Sequence, residues 1–365
     1  MMETSISARR WGNFKSNKRA YWSLWIFLVL FGLSLVAEIL ANDKPLLVSY
    51  RGDLHVPFLK FYPETAFGGD FQTEADYTAL EVQCLIKAGG EEACFDDPEG
   101  VIAQAEQGEV ESPGWILSAP IPFDYRTIDY DLGKPAPSPP DGRHILGTDD
   151  QQRDVLARVI YGFRISVLFA LTVSLFASLL GIAAGAVQGY FGGWLDLLFQ
   201  RFIEIWESLP ALIVIIIIAA ILPMNFLILT TLVVLFSWTA LVGVVRAEFL
   251  RARNFEYVRA ARAMGVTDAT IMWRHVLPNA MVATLTLLPF IITGSIGWLS
   301  TLDFLGFGLP PTYPSLGELA LQGKNNIQQP YLGLTAFFTF AIMLSLLVFI
   351  FEGVRDAFDP RKTFA

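Results

Sequence analysis

The chain has 365 residues, 53% of them hydrophobic and 17% charged, with a mean hydropathy of +0.47. A soluble domain carries about 25% charged residues, and here the apolar surplus is gathered into long blocks, which excludes an ordinary soluble protein. The net charge of −9 is unevenly held: residues 42–150 contain 21 of the 35 acidic and 7 of the 26 basic residues. The remainder is basic, and no basic patch is interleaved with aromatics, so nucleic-acid binding has no support.

In chain order, the first apolar run covers residues 22–40 and follows Arg9, Arg10, Lys15, Lys18 and Arg19. It approaches the ~20 residues that span a bilayer and exceeds the core of about 7–15 residues in a cleavable signal peptide. This pattern predicts a cytoplasmic N-terminus over 1–21 and an uncleaved anchor over 22–41. Residues 42–150 form an acidic region in which Pro135, Pro137, Pro139 and Pro140 mark an extended linker. Trp115, Phe123 and Tyr125 supply apolar surface for a small folded unit, whose fold the pattern does not give. Both cysteines, Cys84 and Cys94, lie here. On the extracytoplasmic side they admit a disulfide closing a short loop, or two free thiols.

Five further apolar blocks predict spans near 165–188, 202–222, 227–249, 280–302 and 333–352, with Pro223 in a turn between the second and third. Six spans return the C-terminus to the side of the N-terminus. The loop holding Arg251, Arg253, Arg259, Arg262 and Arg274, and the tail holding Arg355, Arg361 and Lys362, then fall on the cytoplasmic side, where Lys and Arg are enriched. The expected architecture is an all-α polytopic membrane protein: six transmembrane helices, a small extracytoplasmic region after the first, a core of five helices over 151–353 and a cytoplasmic tail over 354–365. Gly181, Gly185 and Gly189 recur every four residues, so they line one helix face and permit close backbone approach to another helix. Glu204, Glu207, Arg246 and Glu248 sit near span ends, within reach of headgroups or water. Asp303 follows an apolar stretch, and an intramembrane acid is a candidate for the translocation path because its burial is costly.

The loop after the fourth span carries the most information. Residues 256–264 suit a short helix; Gly265 can supply the left-handed residue that stops it, Thr267-Asp268 a new N-terminal cap, and Pro278 a stop to the following helix. A short helix with small residues outward suits docking into the groove of another protein; an ordinary amphipathic connector is the alternative.

Ala260, Ala261, Gly265, Leu277 and Pro278 form an Ala-Ala-x-x-x-Gly, eleven-residue, Leu-Pro pattern that resembles the coupling loop of ABC-importer permeases. The resemblance implies a type I importer fold and a loop, here 251–279, whose helix sits in a cleft of an ATPase subunit. The coupling residues it implies are Glu256, Arg259, Ala260, Ala261, Gly265, Leu277 and Pro278. The family motif begins with Glu where this chain has Arg259, which removes any ion pair that Glu would make. Further segments resemble dipeptide and oligopeptide permeases: Leu146-Gly147-Thr148-Asp149-Asp150, Gly189-Tyr190-Phe191-Gly192-Gly193, Leu305-Gly306-Phe307-Gly308-Leu309-Pro310-Pro311, and 354–361. The N-terminal third is similar to a narrower branch, the permease of microcin C-type peptide importers, with an inserted acidic stretch around 84–111.

The resemblance implies a non-enzymatic subunit in the bacterial inner membrane, moving peptides by alternating access. It also implies a separate ATPase that binds ATP and Mg, a second related permease, a periplasmic substrate-binding protein and surrounding lipid. No Gly-x-x-x-x-Gly-Lys-[Ser/Thr] loop occurs, so no cofactor is expected in this chain. An ion-gradient transporter would require midplane charges or broken inverted repeats, neither of which is evident in the sequence. A membrane enzyme is disfavoured because His55, His144 and His275 are scattered and no His-Glu-x-x-His or Gly-x-Ser-x-Gly motif occurs.

Overall fold

The computed structural model describes residues 6–108, 113–130 and 132–358. The chain divides into two compact units, Met1–Phe31 with Gly162–Ala365, and Gly32–Tyr161. In chain order the helices are α1 (Ile6–Ser16), α2 (Lys18–Leu35), α3 (Ala37–Leu40), α4 (Leu80–Lys87), α5 (Pro98–Glu106), α6 (Val155–Phe191), α7 (Gly193–Glu207), α8 (Ala211–Ile221), α9 (Phe226–Ser237), α10 (Thr239–Ala252), α11 (Glu256–Ala263), α12 (Asp268–Thr270), α13 (Leu277–Phe304), α14 (Leu316–Asn325) and α15 (Pro330–Phe358). Among the described residues, four helical stretches are long and apolar enough to cross a membrane: Lys18–Leu35, Val155–Phe191, Thr284–Phe304 and Pro330–Phe358. Two bent pairs bring the number to as many as six.

Those bent pairs correct the spans expected at 202–222 and 227–249 as single helices. α7 and α8 meet at 66°, because Pro210 has no N–H to continue the helix and restricts Leu209 before it. α9 and α10 meet at 40° at Trp238. The expected tail over 354–365 is helical to Phe358, and Arg361 and Lys362 lie outside the described residues.

Within the first unit, the glycine stripe of α6 lies directly on the backbone of the α9–α10 pair. A β-carbon built at Gly185 would stand 2.7 Å from the Val242 carbonyl oxygen, and one at Gly189 2.5 Å from that of Arg246. One at Gly181 would collide with the Trp238 carbonyl. The three carbonyls are themselves four residues apart, so one ladder of glycines meets one ladder of backbone oxygens. Only hydrogen fits at these positions, and the close approach replaces side-chain interdigitation as the means of packing.

The unit Gly32–Tyr161 is not purely helical, and this corrects the all-α expectation. β1 (Leu47–Tyr50) pairs antiparallel with β2 (Asp53–His55) and with β3 (Trp115–Leu117), in the order β2-β1-β3. Phe67 is fully buried among Tyr50, Tyr62 and Tyr77, with ring centroids 5.5–6.2 Å apart. Cys84 on α4 is bonded to Cys94, which resolves the two alternatives in favour of the disulfide. Buried ionic groups order the chain before α6. His144 is 1% exposed, with Nδ1 2.8 Å from Asp154 and Nε2 3.0 Å from Asp129. The ring of Phe123 stacks on it at 4.5 Å. Asp154 also caps α6 by accepting from the Ala157 amide at 2.7 Å. Asp149 accepts from Arg153 at 2.7 Å and pairs with the buried Arg158 at 3.4 Å.

Two measurements test these arrangements. Gly185→Ala should destabilise the protein by about 1–3 kcal/mol through overpacking, whereas Gly243→Ala, where a β-carbon meets open space, should be neutral or stabilising; thermal unfolding in detergent distinguishes them. Burial disfavours the His144 imidazolium, but the hydrogen bonds to Asp154 and Asp129 outweigh it and hold the pKa above its ordinary 6.5. A raised folded-state pKa means this stabilisation is complete below the ordinary value and is lost as pH rises through the raised one. Amide exchange over 123–158 should therefore quicken as pH rises through that window beyond its intrinsic pH dependence, and His144→Gln should abolish the excess; equal slopes in both proteins would refute it.

Candidate coupling surface

α11 is short, and its sequence accounts for both ends. Glu256 lies in the first turn and Arg262 in the last, each complementing the helix dipole. At the C-terminus Gly265 takes a φ of +79°. The Val266 amide donates to the Ala261 carbonyl at 3.1 Å and the Gly265 amide to that of Arg262 at 3.0 Å. This is a Schellman closure, with Gly at the left-handed position. The Thr267 hydroxyl then accepts from the Thr270 amide to cap α12.

From Asp268 the chain stays helical to Phe304, through a π turn over Ile271–Val276. Pro278 does not end a helix there, contrary to expectation. It lies in the first turn of α13, directly after the wider π turn and inside one continuous helical stretch.

The inner face of α11 is fastened to the longer helices. Val258 and Ala261, one turn apart, are buried in a cluster with Ala186 and Tyr190 of α6, Phe249 of α10, Ile271 and Val276 of the π turn, and Ala280 of α13. Tyr190 is the polar pin. Its hydroxyl accepts from Arg262 Nη2 at 2.9 Å and donates to the Asp268 carboxylate, and the Arg262 guanidinium lies 5.4 Å above its ring. Arg253, Arg262, Thr267 and Asp268 border a polar recess of about 530 Å³ beside it. Farther along α10, Arg246 makes a bidentate pair with Asp196 of α7, at 2.6 and 2.7 Å. The charge expected to reach headgroups is thus held within the protein, while Glu204 and Glu248 pair locally with Arg201 and Arg251.

The outer face is open. Tyr257, Ala260 and Met264 share one side of α11, with Tyr257 40% and Met264 76% exposed, and Trp273 on the π turn is 76% exposed. Of the residues expected to couple, Glu256, Arg259, Ala260, Gly265 and Pro278 are exposed, and Leu277 packs partly against the buried cluster. Ala261 corrects the expectation that the small residues all face outward: it is 4% exposed and belongs to the seat.

Asp303 stands apart from this surface. It is 5% exposed, and its carboxylate accepts from the Leu309 amide at 2.7 Å and from the Ser315 hydroxyl. Ser315 in turn caps α14. Both oxygens of the candidate path acid are therefore engaged in holding the 305–315 loop. The contacts of Tyr190 with Arg262 and Asp268, and of Arg246 with Asp196, escaped the sequence reading because the partners lie 50–78 residues apart.

Residues 159–364 match the family model of the binding-protein-dependent transport system inner membrane component. A peptidoglycan transport system permease protein of Agrobacterium fabrum is 54% identical, over 98% of this chain and 93% of its own length. An inner membrane ABC transporter permease protein of Escherichia coli is 54% identical over 98% of both chains. An oligopeptide transport system permease protein of Haemophilus influenzae is 32% identical over 68% of this chain and 80% of its own.

Replacing Gly265 tests the closure of α11. Gly265→Ala meets no atom with its β-carbon, so its cost is conformational, about 1–2 kcal/mol. Amide exchange at 264–266 should rise roughly tenfold, while Gly265→Asn should rise less. An unchanged exchange rate in the alanine variant would contradict the assignment.

Proposed function

Because this chain belongs to the inner-membrane components of binding-protein-dependent transport systems, we propose that it forms one permease half of an ATP-driven importer of peptides or peptide-like compounds. It is a transport subunit and not an enzyme. The peptide class follows from relatives named for oligopeptide and peptidoglycan transport. The ion-gradient alternative finds no support among them.

The observation that carries the mechanism is the two-sidedness of α11: its inner face is bonded into α6, α10 and the stretch leading to α13, and its outer face is free. A separate ATPase subunit, which holds ATP and Mg, grips the outer face. Closure of that ATPase displaces α11, and the buried Val258, Ala261 and Tyr190 carry the displacement to the long helices. The membrane path then alternates between its two openings, shared with a second, related permease and supplied by a periplasmic binding protein. Arg259, Ala260 and Glu256 meet the ATPase directly; Ala261, Gly265 and Leu277 keep α11 in place; Pro278 lies where the π turn passes into α13. Asp303 serves the extracytoplasmic loop rather than the path.

Sidedness follows from charge and redox chemistry together. The basic segments over 1–21 and 251–279 and the C-terminal tail belong in the cytoplasm of a bacterial cell. The disulfide-bonded, acidic 42–150 region belongs outside, where thiols are oxidised.

Ala260→Arg provides the test, because Ala260 is exposed and the substitution leaves the seat intact. The unaltered chain should co-purify from mild detergent with an ATPase and a second permease. The variant should retain the second permease and lose the ATPase on the order of tenfold, the scale of one interface hot spot. A chain that purifies alone and moves peptide on an ion gradient without ATP would end this reading.

A further inference from the structure

Residues of α1, α2 and α15 meet in a groove remote from the coupling surface. Phe14 and Ala20 pack against Ala357, and a β-carbon at Gly353 would strike the rings and methyls of that contact, so α1 and α15 are clamped together at one end. Beside the clamp lies a groove of about 330 Å³, walled by Trp11, Phe14, Leu24, Ile350, Val354 and Phe358. Its walls are almost wholly apolar.

Two cations stand on its rings. The Arg10 guanidinium stands 4.4 Å above Phe358, and Lys15 Nζ 5.4 Å above Trp11. Over residues 6–19 and 350–358 the side chains supply Arg9, Arg10, Lys15, Lys18, Arg19 and Arg355 against only Glu352 and Asp356, and Asp356 lies 4.0 Å from Arg355. The groove also adjoins the first candidate span, whose Trp22, Trp25 and Leu28 are exposed. Hydrocarbon can therefore enter it without crossing water. A soluble anion would satisfy the cations and leave the apolar walls wet; a neutral lipid would fill the walls and leave the cations without a counter-charge.

We propose that this groove holds one acyl chain of an anionic phospholipid, with the lipid phosphate lying over Arg10 and Lys15. The apolar walls bind by burying methylene surface, and the cations select for charge. The site stands independently of the ATPase and of substrate, since none of these residues belongs to the coupling surface.

The test is native mass spectrometry of the full-length chain in detergent, titrated with diacyl phosphatidylglycerol or phosphatidylethanolamine. The unaltered protein should retain phosphatidylglycerol preferentially, by roughly fivefold for each cation engaged. Arg10→Ala with Lys15→Ala, a change at the mouth alone, should erase the preference while leaving the unfolding temperature unchanged, and Arg10→Lys should keep it. Val354→Trp, which fills the groove, should lower retention of both lipids. Equal retention of the two lipids by the unaltered chain, or undiminished phosphatidylglycerol binding by Val354→Trp, would overturn the proposal. Binding that appears only after residues 359–365 are removed would also overturn it, because the groove would then belong to the tail.

Discussion

The structure of the first unit depends on the contact between Gly181, Gly185 and Gly189 and the carbonyl ladder of Trp238, Val242 and Arg246. In a bilayer the hydrophobic effect gives two helices little reason to associate, since lipid tails are as apolar as leucine. Close backbone approach supplies dispersion contacts that lipid cannot match. It also fixes the rotation of α10 about its own axis. With the Arg246 carbonyl turned to Gly189, its side chain is directed to Asp196, and Phe249 one turn on is presented to the cluster that seats Val258 and Ala261. The position of the short helix α11 is thus inherited from three hydrogen atoms on α6.

Polar pins complete that inheritance at the end of the glycine ladder. Tyr190 directly follows Gly189 and touches both Arg262 and Asp268, so it spans the closure at Gly265 from one side to the other. The π turn that follows places Ile271 and Val276, five residues apart, in the same buried cluster. An α-helical turn would set those two about 500° apart around the axis rather than on a common side, and the wider turn brings them together. In the second unit charges do similar work. Asp149, Arg153 and Arg158 are all buried, and removing one member of such a group costs about 3–5 kcal/mol.

Much of this was legible in the residues, to different depths. The long apolar blocks located the long apolar helices, and the period of four in Gly181, Gly185 and Gly189 identified a packing face before its partner was known. Gly265 gave the end of α11 because only a left-handed residue closes that motif. What could not be read was what depends on distant partners. Ala261 is indistinguishable in sequence from Ala260, yet the first faces the core and the second faces solvent. Pro278 looked like a stop because its tolerance depends on the π turn before it, and such turns have no local signature. His144 was one of three scattered histidines until Asp129 and Asp154, 15 and 10 residues away, met on its two nitrogens. The three strands around Tyr50 are too short, and their outer member too distant in sequence, for periodicity to reveal them.

The 66° break between α7 and α8 bears on what must surround the molecule. The first amides of α8 have no side-chain cap at Pro210, and Ser208, Leu209 and Pro210 are all exposed. Main-chain groups released by a helix end need a hydrogen-bond partner, and hydrocarbon offers none. At membrane depth this stretch can face only an aqueous cavity or another polypeptide. The apolar side chains on either side would be at ease in lipid, but the backbone between them would not. At that depth, an isolated copy surrounded only by acyl chains would leave the backbone of residues 208–212 unsolvated.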